Sequence, residues 1–141
     1  MARIIRIIDP KNIATILDVI HDCWFDRDEI TFDAEQRILS VRFIKEVGPV
    51  RIVDKKLFLK RVRVPMIECF LRIYSVKEYK VTDTEKVGKY DFNEIKYDPY
   101  LNLIRITTGI PLDITLQVVQ FDVAVEETDN IIEEKEKLTI W

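Results

Sequence analysis

Three features predict an α+β fold, mainly antiparallel β, with one N-terminal helix packed on a sandwich-like or partly closed sheet. Apolar and polar residues alternate with period two over most of the chain. A single stretch near the N-terminus has helical spacing instead. A hairpin pattern also appears twice, 65 residues apart.

The first copy of the hairpin runs from Glu29 to Asp33 and from Ile38 to Phe43. The second runs from Glu94 to Asp98 and from Leu103 to Thr108. At this offset Phe25-Asp26 falls on Tyr90-Asp91, Phe32-Asp33 on Tyr97-Asp98, Ile38-Leu39 on Leu103-Ile104 and Val41 on Ile106. Each break between strands opens on Asp, whose side chain bonds backbone N–H groups ahead of it and so favours a turn; Pro99 reinforces the second turn by fixing φ. The pattern is consistent with internal duplication of a β-hairpin unit, although any two amphipathic hairpins share part of it.

In chain order, residues 3–8 are rich in β-branched isoleucine and read as a first strand. Asp9-Pro10 then announces a helix over about 10–22: Asp caps free N–H groups, and Pro suits a first helical position because its missing N–H would be unpaired there. Ile13, Ile16, Leu17 and Ile20 give that helix one apolar face. After the first hairpin, Gly48-Pro49 breaks the chain and Arg51-Ile52-Val53 reads as a short edge strand. Lys55 to Val64 reads as one strand with a basic face, and Pro65 marks a strand start, bulge or edge. Ile67, Cys69, Leu71 and Ile73 share one face of a strand expected at the centre of the sheet, continuing with a kink to Val81. Beyond the second hairpin, Leu112, Ile114, Leu116 and Val118 hold one phase and Val119, Phe121, Val123 and Val125 the other. A β-bulge within one long strand would produce that flip. Residues 1–128 therefore form a single β-rich domain in this reading. Residues 129–141 form an acidic tail, loose or briefly helical, ending in Trp141 as an apolar anchor.

The composition excludes several functions. A net charge of −3 gives no general attraction to nucleic acid or anionic membrane. No apolar run is long enough to span a bilayer, and the N-terminal apolar run is interrupted by Arg3 and Arg6, unlike a secretory signal. Two cysteines, Cys23 and Cys69, are too few for a disulfide framework, and a cytoplasmic location is the expectation. The three glycines lie far apart, whereas a phosphate cradle needs them clustered so that backbone N–H groups converge. Neither Ser40 nor Ser75 sits on a glycine-flanked elbow. No cofactor and no metal are expected.

One cluster has catalytic chemistry in its residue types. His21 is the only histidine, and Asp22, Cys23, Asp26 and Asp28 follow it closely. His21 beside a carboxylate could act as a general base, and with Cys23 could form a thiolate pair. Zinc would need a second ligand pair; a calcium loop from Asp26 would need glycine at Thr31 and a carboxylate at Arg37. The plainer expectation is that His21 and Asp22 close the helix and Cys23 is a small core residue.

Charge segregation is the stronger signal. Lys60, Arg61 and Arg63 mark a basic strand, and the C-terminal stretch is acidic. A basic strand with Phe58 could bind nucleic acid, but no RNA-binding signature accompanies it and the acidic tail would compete. Alternatively, lysine and arginine protect an exposed edge. A third reading lays the acidic tail against the basic strand, of its own chain or of a neighbour, with Lys60, Arg61, Arg63 and Trp141 as the interface. The expected function is a non-catalytic protein-interaction or assembly module, partnered by itself or by another protein. The alternative is a small enzyme or ligand-binding protein with a pocket near His21, Cys23 and Asp26.

Overall fold

The computed structural model describes residues 2–48, 51–56 and 59–140. Its elements are β1 (Arg3–Ile7), α1 (Ile13–Ile20), β2 (Trp24–Asp26), β3 (Ile30–Asp33), β4 (Ile38–Glu46), β5 (Arg51–Lys56), β6 (Leu59–Ile73), β7 (Val76–Thr82), β8 (Lys89–Asp98), β9 (Leu103–Thr108), β10 (Asp113–Val118) and β11 (Val123–Ile140). All strand pairs are antiparallel, in the order β1-β11-β6-β4-β2-β8-β9-β10-β7, with β3 added to β4 and β5 added to β6. The sheet is not closed, and β1 and β7 end its main path.

The buried faces of both halves share one core. Phe43, Leu71, Ile73 and Val125 from one half join Phe92, Ile106, Ile114 and Leu116 from the other. The helix covers this core with Ile16, Val19 and Ile20, and Ile13 and Leu17 pack at its margin. A 3₁₀ turn at Pro10–Asn12 leads into it, capped by Asp9, whose carboxylate accepts from the Lys11 N–H at 3.0 Å. β6 is an interior strand flanked by β11 and β4, but it lies third along the main path, toward the β1 end and not at the centre of the sheet.

The two hairpins match in detail. Asp33 Oδ1 accepts from the N–H groups of Glu35 and Gln36, both at 3.0 Å; Asp98 Oδ1 accepts from Tyr100 at 2.9 Å and Leu101 at 3.3 Å. Each turn ends in a residue with positive φ, Arg37 (59°) and Asn102 (49°). The carbonyls of those residues then accept from Val76 and Val118, each at 3.0 Å. Between the units, Phe25 stands opposite Tyr90 in the β2–β8 register, so residues 65 apart in sequence face one another across the join. β8 thus occupies in the second unit the span that β2 and β3 occupy in the first. Asp33→Ala and Asp98→Ala should each lower stability by about 1 kcal/mol, read as urea midpoint shifts, because each strands two turn N–H groups. A loss at one turn with none at the other would break the equivalence.

Four further sequence expectations change. The single strand expected from Lys55 to Val64 is divided, because β5 ends at Lys56, β6 begins at Leu59 and the two pair antiparallel. The phase flip after Val118 is not a bulge in one strand. The chain leaves β10, exposes Val119 and re-enters as β11 on the other half of the sheet, so inward positions are reset. The expected kinked continuation after Ile73 is likewise a crossing: Ser75 takes φ 56° and β7 runs at the far end of the sheet. Finally, the segment from 129 is neither a loose tail nor a helix. It continues β11 to Ile140 and pairs along β6.

Candidate functional site

Two regions come from the sequence candidates, a cleft at the end of α1 and an arm formed by β5, β6 and the C-terminal half of β11. Trp141 lies outside the described residues, as do Leu57 and Phe58.

The cleft arises from how the helix stops. The His21 N–H donates to the Leu17 carbonyl at 2.8 Å, then Asp22 turns the chain with φ 65°. The Asp22 N–H reaches Phe92 O at 3.1 Å, and the Cys23 N–H closes back on Ile20 O at 2.9 Å. The short strand β2 then enters between β4 and β8, leaving a cleft of about 1050 Å³ that His21, Cys23 and Asp26 all line. This volume sits at the upper end for small-molecule sites.

The three side chains share a wall without forming a catalytic constellation. His21 Nδ1 lies 3.2 Å from Asp22 Oδ2, and both are well exposed. The Cys23 thiol donates to Val19 O at 3.5 Å. Among the described residues, no hydrogen bond or ion pair joins His21 to Cys23 or to Asp26. Burial pushes the Cys23 thiol up to about 11, so at neutral pH it is protonated, the opposite of an activated nucleophile. Cys69, also free, is pushed up to about 12, again mainly by burial.

Residues of β4 that the sequence reading overlooked complete the cleft. Arg42 Nε donates to Glu68 Oε2 at 2.6 Å and its Nη1 lies 3.4 Å from Glu29 Oε1; the Glu68 bond is the main reason its guanidinium is held above its ordinary value. Lys45 Nζ stands 3.6 Å from Glu127 Oε2, a carboxylate that also pairs with Arg3. The polar phase of β4 was the signal for Arg42; its location beside His21 depends on β2 pairing with β4, which no local pattern encodes. Among the described residues, no group of three or more His, Cys, Asp or Glu side chains is placed to hold a metal ion.

The thiol shifts carry a pH dependence. An unfolded thiol ionises near its ordinary value of 9.0, while the folded thiols hold their protons to about 11 and 12. Their contribution to stability is complete below about pH 9 and is lost as pH rises toward the folded values. Urea midpoints at about pH 8 and about pH 10.5 should therefore fall less steeply in Cys23→Ala/Cys69→Ala than in the parent protein. Equal slopes would contradict the buried-thiol account.

The basic segment is not an edge. Lys60, Arg61 and Arg63 lie on β6 between two strands, with β5 on one side and β11 on the other. In register Arg63 stands opposite Glu136, Arg61 opposite Leu138 and Lys60 opposite Thr139, so the acidic segment does lie beside the basic strand of its own chain. Pro65 falls at the junction between Met66, the last partner of β4, and Arg63, the first partner of β5, where its missing N–H interrupts neither ladder. The exposed edges of the arm are β5 and β11. β1 pairs with β11 only from Val123 to Glu127, and among the described residues no strand pairs with the outer edge of β11 beyond that point. The arm also exposes Ile52, Val53, Leu59, Ile131, Ile132 and Leu138, the last at 71%.

No protein-family model, curated protein sequence or solved structure significantly matches this chain. Among the described residues, no helix is long and apolar enough to cross a membrane.

Proposed function

We propose that this chain is a non-catalytic assembly module that associates with itself, or with another protein, through the β5–β6–β11 arm. The carrying observation is the outer edge of β11, which continues beyond its last β1 partner, Glu127, to Ile140. Such an edge presents N–H and C=O groups in a row and is a template for a further strand. The exposed isoleucines and leucine of the arm add apolar area at the same place. Nucleic acid fits less well, because the basic strand is flanked by an acidic one. The two free thiols suit a reducing, cytoplasmic setting. Sedimentation velocity from nanomolar to high micromolar protein tests the self-association reading. A sedimentation coefficient that rises with concentration is expected; a monomer throughout, with no protein partner captured through the arm, would end the proposal.

The cleft favours a second reading, a small-ligand site. Its size and its mixture of apolar floor and charged wall support binding, and the protonated Cys23 weighs against covalent catalysis. A reproducible extra mass in native mass spectrometry, lost in His21→Ala/Cys23→Ala while the fold persists, would favour it over assembly.

A further inference from the structure

We infer that the arm joins copies of this chain head to tail, the β11 edge of one copy against the β5 edge of the next. This deepens the self-association reading and rests on it. Symmetry and the charges along the edge favour this arrangement over a two-fold pairing of like edges. Residues 133–137 read Glu-Glu-Lys-Glu-Lys, five charges in succession. Two identical antiparallel edges related by a two-fold axis must place some residue opposite its own copy, because side chains directly across a ladder share a face. Any such register centred on 133–137 therefore sets Glu against Glu or Lys against Lys, which is destabilising. The same holds for two β5 edges centred on Asp54, Lys55 or Lys56.

The two edges suit each other instead. β5 carries Arg51, Lys55 and Lys56 against one acid, Asp54, whereas residues 133–137 of β11 carry three acids, Glu133, Glu134 and Glu136, against Lys135 and Lys137. β5 and β11 both run antiparallel to β6, so they run parallel to one another, and identical arms placed side by side meet in a parallel β11–β5 junction. One register of that junction sets Lys55 and Lys56 beside Glu133 and Glu134, with Val53 beside Ile131. A head-to-tail contact leaves one edge open at each end, so it closes a ring or extends a filament rather than stopping at two copies.

The test uses two charge-reversed proteins. Glu133→Lys/Glu134→Lys alters β11 at positions opposite Met66 and Pro65; Lys55→Glu/Lys56→Glu alters β5 at positions opposite Lys60 and Leu59. Circular dichroism and urea unfolding check that each variant folds as the parent does. Sedimentation should give assemblies larger than dimers for the parent, at least a tenfold weaker association for either variant alone, and restored assembly when the two are mixed. Parent assemblies that stop at dimers, or persist in both variants, would overturn the head-to-tail contact while leaving self-association standing. A parent that is monomeric at every concentration would remove both.

Discussion

Removing residues 131–141 should leave a folded, monomeric body with an unravelled arm. β11 supplies one of the two strands flanking β6 from Leu59 to Val64, and it is in register with Val62 and Val64, which are 4% and 6% exposed. Stripping that flank breaks the ladder beside both valines and leaves β5 and the start of β6 as a two-stranded hairpin, a unit marginally stable in water. The body should survive, because among the described residues the core that holds Phe43, Leu71, Ile106 and Leu116 has no member beyond Val125. Limited proteolysis should then cut between residues 51 and 64, while the remaining core keeps its protection. Wild-type association and an uncut arm in the truncated chain would refute both the structural and the functional role given to this segment.

The second large effect lies where the two halves meet. Phe92 is 1% exposed, with its ring 4.6 Å from Phe25 and edge-on to Phe43 at 5.3 Å. Its carbonyl also receives the Asp22 N–H that ends the helix turn. Phe92→Ala opens a cavity that β2, β4 and β8 would all have to collapse into. The expected cost is about 3–5 kcal/mol, a large part of the stability of an ordinary domain. Phe92→Leu should recover more than half of that loss. Urea unfolding of the pair checks the claim, and a loss under about 1 kcal/mol for the alanine variant would show that this ring is not the join.

The parts of the fold readable from sequence are those set by local chemistry. Asp9-Pro10, the period of Ile13, Ile16 and Ile20, and the Asp33 and Asp98 turns each act over a few residues, and each appears where the pattern puts it. Arg51-Ile52-Val53 also forms its edge strand, β5. What misled was any inference requiring knowledge of the neighbouring strand. Val119 looks like an inward residue only if β10 and β11 are one strand; the crossing at 119–122 makes it a turn residue. Lys60, Arg61 and Arg63 look like an edge until the chain beyond 129 is recognised as a strand, and its run of acids argued against that.

The candidate sites divide in the same way. His21, Cys23 and Asp26 are close in sequence and do line one cleft, yet its opposite wall, with Arg42 and Lys45, comes from a strand brought there by pairing. The acidic segment and the basic strand were each visible, and the intrachain register of Glu136 with Arg63 joins them. The open edge on the far side of β11 was not visible, since an edge is defined by what lies beside it.

Amide hydrogen exchange of residues 131–140, compared between dilute and concentrated protein, tests the central claim most directly. If the edge of β11 is where copies meet, its outward N–H groups become paired as assembly proceeds. Exchange there should slow with concentration, while exchange in β7, the strand ending the far side of the sheet, stays unchanged. Exchange at 131–140 that is the same in dilute and concentrated solution, in a protein that nonetheless associates, would place the contact elsewhere and contradict the role given to the arm.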